Sequence, residues 1–301
     1  MKTSVKTKHF VGFLATALAL SAACGRTAER AVDMPRPLIK VMTFNIRYGA
    51  ANDGANSWQF RRGLTAEAIL AFQPDLLGMQ EVLAFQAKYL RAQLPGYGFH
   101  GVGREDGREK GEFCPVMFRT DRFAKLGGGH FWLSETPSVP GSKSWDSSLP
   151  RMVSWVTLRD RRTGREFVYA NTHFDHRGPK ARLESARLIR RQAQKLWAGK
   201  PVILTGDFNA AEGSPPYATL VQDRNGEGPI WTDAYRVIHP ERTPWETTHH
   251  GWRGVRKGTR IDWILYTPEW VALDAAIVHM NDQGRYPSDH YPVTAVLRSA
   301  R

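Results

Sequence analysis

Apolar residues along this chain are grouped in short runs, and most of these runs end at a polar residue. Nine runs are rich in β-branched and other apolar side chains, which is typical of strands inside a sheet. We predict buried strands at residues 38–45, 76–80, 114–119, 152–159, 166–173, 201–206, 260–266, 271–279 and 292–297.

Three other segments have the spacing of helices. They cover residues 58–72, 82–93 and 179–198, and the last has apolar side chains roughly along one side. Residues 152–173 have the pattern of an antiparallel hairpin. This mixture predicts an α/β protein in which two sheets pack face to face, with helices outside.

The polar residues at the ends of the runs form six short motifs. These are VMTFNIRYG (41–49), LLGMQEV (76–82), YANTHFDHRG (169–178), VILTGDFNA (202–210), RIDWIL (260–265) and PSDHYPV (287–293). One such motif would be an ordinary turn at a strand end. Six in one chain predict that the strands converge on a single polar, metal-binding site.

Three of the motifs carry side chains that can hold or serve a hard cation. The carboxylate of Glu81 can bind Mg²⁺, although it could equally cap the helix that follows. Asn45 can bind a metal through its amide, or it can be a turn residue. Asp207 and Asn209 share one face of an extended chain, where they can position a water molecule.

The remaining motifs supply imidazoles. His290 needs a partner that fixes its tautomer, and Asp262 is the candidate. Such a pair supports proton transfer or stabilises developing charge. His173 can bind a phosphate oxygen. Arg177 can add a planar phosphate contact or form a surface salt bridge.

Composition limits the alternatives. The chain has 301 residues, of which 42% are apolar, so it can form a packed core. The formal charge of +13 attracts partners that carry phosphate, but Lys and Arg form no dense run. The chain lacks the HExxH, GxSxG, Walker and CxxC motifs, which argues against zinc peptidases, serine hydrolases and NTPases.

The first residues have the pattern of a secretion signal. Three Lys residues precede the apolar segment 10–20, which is too short to span a bilayer as a mature helix. We therefore predict a signal peptide at 1–23, a polar tether at 24–36, and one domain at 37–301. The protein is expected to be exported, periplasmic or extracellular. A lipid on Cys24 would make it a lipoprotein, and this is the one membrane attachment we expect.

The order of the six motifs resembles the endonuclease/exonuclease/phosphatase family, which includes deoxyribonucleases, sphingomyelinases and inositol phosphatases. The resemblance extends from about Lys40 to Leu297 and includes an exported bacterial branch. It implies a four-layer α/β sandwich of two mostly antiparallel mixed sheets flanked by helices. It also implies that 37–301 is a catalytic domain, that the enzyme is a monomer, and that it uses Mg²⁺ or Mn²⁺.

The resemblance also implies roles for the motif residues. Asn45, Glu81 and Asp289 would hold the ion, and His173 would contact the scissile phosphate. Asp207 and Asn209 would position or activate the attacking water. His290, held by Asp262, would act as base or stabilise the transition state. Whether Asp207 or His290 takes the proton stays open.

The substrate is less constrained by these motifs. Abasic-site enzymes of the family have an acid where this chain has Arg47, which argues against a role in DNA repair. We expect a small phosphorylated substrate such as a sugar phosphate. The alternatives are a secreted nuclease that binds nucleic acid and a sphingomyelinase-like phosphodiesterase. Candidate substrate contacts are Trp58, Arg61, Arg62, Trp145, Arg177, His249 and His250.

Overall fold

The computed structural model describes residue 1, residues 37–222 and residues 230–300. The predicted signal peptide beyond Met1, the predicted tether and Cys24 lie outside the described residues. The predictions that depend on them therefore stay predictions.

Twelve strands of the described chain form two six-stranded sheets. In spatial order, the first sheet consists of β11 (Trp270–Ile277), β12 (Val293–Ser299), β1 (Ile39–Asn45), β2 (Leu76–Gln80), β4 (Val116–Arg119) and β3 (Tyr97–His100). The second consists of β5 (Phe123–Trp132), β6 (Met152–Asp160), β7 (Glu166–His173), β8 (Val202–Asp207), β10 (Asp262–Tyr266) and β9 (Thr232–Asp233).

Each sheet has one parallel pair of strands near its centre. β1 pairs with β2 in the first sheet, and β7 pairs with β8 in the second. The other neighbouring strands are antiparallel. The prediction of two mostly antiparallel mixed sheets is therefore confirmed.

Helices cover the outer faces of the two sheets. The described helices are α1 (Trp58–Phe72), α2 (Ala84–Gln93), α3 (Pro179–Leu196), α4 (Pro215–Val221) and α5 (Ala234–Ile238). Apolar residues of α1 and α2 pack on the first sheet, and those of α3 and α4 pack on the second. A third buried cluster fills the space between the sheets, which gives the four layers expected. Within the described residues, no helix has the length and apolar character needed to cross a membrane.

Five elements of the structure were not predicted from the sequence. Strands β3, β5 and β9 and helices α4 and α5 did not have recognisable sequence patterns. β5 contains three consecutive glycines at 127–129, a composition that weakens strand prediction. The structure shows why glycine occupies position 128: a Cβ there would lie 2.7 Å from the carbonyl oxygen of Trp155 on the neighbouring strand.

A buried polar layer joins the two sheets beneath their polar edge. Gln80 Nε2 donates to Asn171 Oδ1 at 2.7 Å across the interface between the sheets. Thr205 Oγ1 donates to the same oxygen at 3.0 Å, and Asn171 Nδ2 donates to the carbonyl of Met79 at 2.7 Å. Gly78 leaves room for this layer. A Cβ at Gly78 would lie 2.2 Å from Thr205 Oγ1 and 2.6 Å from Asn171 Oδ1.

We expect Gly78→Ala to lower the free energy of unfolding by roughly 1–3 kcal/mol, because the added methyl group overpacks the buried layer. Gly63→Ala is the matched control, since a Cβ at this helical position meets nothing within 4 Å. The control should stabilise the helix by up to about 1 kcal/mol. Urea unfolding of both variants tests this. Equal free energies of unfolding for the two variants would show that the polar layer accommodates the methyl group without cost, which would contradict the prediction.

Candidate active site

The topology of the second sheet brings three of the polar motifs together. β7 and β8 are parallel, so their last residues, His173 and Asp207, are register partners. β10 runs antiparallel to β8, so its first residue, Asp262, lies beside Asp207. The turn after β8 then carries Asn209, which has a left-handed φ of 46°.

The first sheet brings the other motifs to its own edge in the same way. Asn45 and Gln80, the last residues of the parallel strands β1 and β2, are register partners, and Glu81 follows. β12 is antiparallel to β1, so Asp289 and His290, which precede β12, lie near the end of β1. Glu81 has a left-handed φ of 61°, a conformation that is uncommon for residues other than glycine.

Asp207 is the hydrogen-bonding centre of the assembled site. Its Oδ2 accepts a hydrogen bond from Asn45 Nδ2 at 2.9 Å and lies 3.4 Å from His173 Nε2. Its Oδ1 accepts from the backbone N–H of Asn209 at 2.9 Å. The side-chain nitrogen of Asn209 lies 3.0 Å from His173 Nε2. The two sheets therefore meet at one buried carboxylate.

His290 and Asp262 form a buried pair. His290 Nδ1 lies 2.9 Å from Asp262 Oδ2, and His290 Nε2 lies 3.8 Å from Asp207 Oδ2. Burial opposes the charge on His290, but the Asp262 carboxylate, with smaller contributions from Asp207, outweighs it and raises the pKa of His290 to about 10. The imidazole is thus a cation near neutral pH.

The environment of Asp207 favours a different role. Burial, followed by the charge of Asp262, raises the pKa of Asp207 to about 7. A base is most effective when its pKa lies near the working pH. The metal-free electrostatics therefore favour Asp207 as the proton acceptor and His290 as the group that stabilises negative charge.

The surroundings of His173 favour its neutral form. Burial and the charges of Arg151 and Arg104 hold the pKa of His173 well below its usual range. A neutral imidazole can still donate or accept one hydrogen bond from each nitrogen, depending on its tautomer.

Glu81 and Asn45 supply oxygen ligands on the first-sheet side. Glu81 Oε1 lies 3.1 Å from Asn45 Nδ2, and Glu81 Oε2 accepts from the backbone N–H of Tyr48 at 2.7 Å. Asp289 Oδ2 lies 3.8 Å from Arg47 Nη1. Burial opposes ionisation of Asp289, but the nearby His249 side chain and the charge of His290 hold the pKa of Asp289 well below its usual range.

The residues present fit a divalent cation. Asp262 Oδ1 is buried and has no hydrogen-bond partner within the described residues. The ligand atoms of Asp207, Asp262 and His290 lie within 4.8 Å of one another, and so do those of His249, Asp289 and His290. While His290 carries its proton, the carboxylate oxygens are the atoms of these groups that can bind a cation. With the carboxylate of Glu81 nearby, the site offers the oxygen ligands that Mg²⁺ and similar ions prefer.

Two of the candidate substrate contacts have another role in the structure. Arg61 is 3% exposed, and its guanidinium donates to the backbone carbonyls of Ile46 at 2.7 Å and Pro287 at 2.9 Å. Trp58 is 5% exposed and packs edge-on against Tyr89. Both side chains are engaged within the fold in this structure, and their contact with a substrate stays a prediction. Arg61 instead ties together the segments that carry the first-sheet motifs.

The two adjacent histidines differ in their exposure. His250 is 1% exposed and stacks on Tyr291 at a ring distance of 4.1 Å, so it belongs to the core. His249 is the exposed member, and its Nε2 lies 3.7 Å from Asp289 Oδ2. Of the two predicted residues, His249 therefore stays a candidate substrate contact, whereas His250 packs in the core.

The other candidate substrate contacts stay predictions. Arg62 and Arg177 are exposed, and the backbone N–H of Arg177 donates to Asp175 Oδ1 at 2.9 Å. Trp145 is half-buried, with a left-handed φ of 58°, and packs against the apolar cluster of α3. Its neighbour Asp146 accepts from the N–H of Ala181 at 2.6 Å in the first turn of α3.

Three charged residues next to His173 were not predicted. Glu112 Oε2 lies 3.9 Å from His173 Nδ1 and 2.6 Å from Arg104 Nη1. Arg151 is 4% exposed and also lies beside His173. Arg104 and Glu112 occur in a highly charged segment that has the pattern of a solvated loop, so no local pattern indicates their burial.

The fold and the site together define a phosphoester hydrolase. Residues 42–290 match the profile of the Endonuclease/Exonuclease/phosphatase family, and the chain therefore belongs to that family. This match confirms the sequence resemblance, and the two sheets with their covering helices confirm the predicted architecture.

Solved structures of bacterial proteins are similar over most of the chain. An endonuclease/exonuclease/phosphatase from Bacteroides vulgatus is 35% identical, with a TM-score of 0.81 over 88% of this chain and 100% of that chain. A mannosyl-6-phosphatase from Bacteroides thetaiotaomicron is 35% identical, with a TM-score of 0.78 over 86% of this chain and 99% of that chain.

Curated eukaryotic relatives are more distant. Nocturnin from Drosophila melanogaster is 27% identical over 84% of this chain and 45% of its own length. Nocturnin from Rattus norvegicus is 25% identical over 85% of this chain and 63% of its own length. The chain thus spans about half to three-fifths of the length of these relatives.

We expect Asp262→Asn to lower kcat by roughly 10²- to 10⁴-fold, since it removes the charge that holds and polarises His290. The stability effect should depend on pH. The folded-state pKa of His290, about 10, exceeds its ordinary value of 6.5, so the pair stabilises the fold fully below 6.5. This contribution is lost as pH rises through about 10.

Urea unfolding in EDTA measures this dependence. The gap in unfolding free energy between unaltered protein and Asp262→Asn should narrow between about pH 8 and about pH 10. This window lies above the pKa of about 7 for Asp207, so that carboxyl contributes little to the change. A difference in unfolding free energy that stays constant over this pH range would contradict a charged His290–Asp262 pair.

Proposed function

We propose that this protein is an exported, Mg²⁺-dependent phosphatase that acts on a small sugar phosphate. The observation that carries the proposal is the buried constellation of Asp207, Asn209, His173 and the His290–Asp262 pair. Support for the substrate class comes from the 35% identity to the mannosyl-6-phosphatase over nearly the whole of that chain. Support for export comes from the signal-like pattern of residues 1–23.

The chain's own residues divide the work of hydrolysis. His173 and Asn209 bind a phosphoryl oxygen, and Asp207 accepts a proton from the attacking water. The new P–O bond forms as the P–O bond to the sugar breaks, and the sugar oxygen leaves opposite the water and takes up a proton from solvent. His290, held as a cation by Asp262, stabilises the negative charge on the phosphoryl group.

A bound divalent ion would supply Lewis acidity and charge neutralisation at the phosphate. Glu81, Asn45 and Asp289 would hold it. Mn²⁺ shares the preference for carboxylate and amide oxygens, so it is the alternative ion.

A secreted nuclease is the second candidate function. The observations that favour it are the similarity to nocturnin, which is a sequence relative over 84% of this chain, and the formal charge of +13. Nucleic-acid binding of this kind would weaken steeply with salt, because bound cationic side chains release counterions from the phosphate backbone.

The purified protein should release inorganic phosphate from mannose 6-phosphate or another hexose phosphate when Mg²⁺ is present. EDTA should abolish this release, because it removes the divalent ion that the acidic residues would hold, and excess Mg²⁺ should restore it. Asp207→Asn should lower the rate by roughly 10²-fold or more, since it removes the proton acceptor.

Plasmid DNA, RNA and sphingomyelin vesicles are assayed in parallel, with Asp207→Asn as the control for contaminating enzymes. Cleavage of nucleic acid that is lost in the variant, with sugar phosphates intact, would reject the phosphatase in favour of the nuclease. Release of choline phosphate alone would favour the lipid phosphodiesterase. Full activity in EDTA would reject the metal requirement.

A further inference from the structure

A small cavity lies beside His173. It has a volume of about 10 Å³, and its polar walls are Arg104, Glu112, Arg151 and His173. This volume is close to the minimum that holds a single water molecule. The cavity can therefore admit one oxygen atom but not a whole phosphate group.

Arg151 directs unused hydrogen-bond donors into this region. Its Nε and Nη1 are buried and have no hydrogen-bond partner within the described residues, while Nη2 lies 3.0 Å from His176 Nδ1. Asp175 Oδ2 is 3.7 Å from Nε, beyond hydrogen-bond distance. The oxygens of Asp175 already accept from loop 147–149 and from the backbone of 177–178. Buried donors of a charged group are costly unless an acceptor reaches them.

Arg104 adds a further unsatisfied donor. Its Nη1 pairs with Glu112 Oε2 at 2.6 Å, but its Nε is buried and has no hydrogen-bond partner in the described part of the chain. Two guanidinium groups and the Glu112 carboxylate line the cavity, and the Asp175 carboxylate lies 3.7 Å from Arg151 Nε. The unsatisfied N–H donors of the walls therefore suit an oxygen acceptor such as a phosphate oxygen.

We propose that Arg151, together with Arg104, binds one terminal oxygen of the substrate phosphate in this cavity and thereby selects phosphate monoesters over diesters. The inference rests on the proposed function, which places the phosphate at His173. Displacement opposite the leaving group leaves three other oxygens on phosphorus. In a monoester all three are terminal, whereas in a diester one carries a second organic group that the cavity cannot hold.

The experiment compares Arg151→Gln with Arg159→Gln in the full-length protein. Arg159 lies on β6, the strand that follows Arg151, but it is exposed and pairs with Glu166 at 2.8 Å. The readouts are kcat/KM for p-nitrophenyl phosphate and the inhibition constants of inorganic phosphate and dimethyl phosphate. The first inhibitor has the terminal oxygens of a monoester, and the second has those of a diester.

Arg151→Gln should lower kcat/KM for the monoester by about 10- to 100-fold and raise the inhibition constant of inorganic phosphate by a similar factor. The inhibition constant of dimethyl phosphate should change by less than about twofold, because the diester makes no use of the cavity. Arg159→Gln should change none of the three values, since its side chain lies at the surface.

Equal changes for the two inhibitors, or no change for either, would overturn the inference. If Arg151→Gln does not fold, Arg104→Gln and Arg151→Lys take its place, and the selective loss should be smaller for the lysine variant, which keeps the charge. Absence of ester hydrolysis by the unaltered protein would instead overturn the proposed function. Phosphate binding measured by calorimetry separates the two failures, because it needs no turnover.

Discussion

The burial of the Asp207 carboxylate is the constraint on which the rest of the site depends. A carboxylate that is 1% exposed is stable only if hydrogen bonds or charges compensate for its lost hydration. The first sheet provides Asn45, and the turn after β8 provides the N–H of Asn209. The Nε2 atoms of His173 and His290 lie 3.4 Å and 3.8 Å from Asp207 Oδ2, the oxygen that accepts from Asn45. Stabilising this one charge thus requires both sheets, and it brings together the residues that act on the phosphate.

The polar layer beneath the site fixes how the sheets meet. Apolar contacts between two sheets tolerate small shifts, whereas hydrogen bonds between buried amides lose their energy when the geometry changes. Asn171 connects to Gln80 and to the carbonyls of Met79 and Pro115 on the first sheet. A displacement of one sheet would leave these groups unpaired in the interior. The layer therefore holds the Asn45–Asp207 contact above it in place.

Much of the fold and the centre of the site could be predicted from the sequence, because Asn45, Asp207 and His290 each adjoin a run of apolar residues. Local patterns cannot show which way a side chain points in three dimensions. Arg61 was expected at the substrate, but backbone carbonyls take up its donors. Adjacent histidines in a bend diverge, so the sequence could not show that His249 faces the site. Arg151 directly precedes a strand, and its role depends on loops distant in sequence.

The net charge of +13 overstates the positive charge that a polyanion would meet. Arg122 and Arg260 are buried and pair with carboxylates at 2.7 Å and 2.6 Å. The guanidinium of Arg61 donates to backbone carbonyls, and the guanidinium of Arg47 donates to both carboxylate oxygens of Asp53. These arginines stabilise the fold and are not arranged as a continuous basic surface. The cations closest to His173 instead surround a cavity with room for a single oxygen, an arrangement that favours one compact phosphate over an extended chain of them.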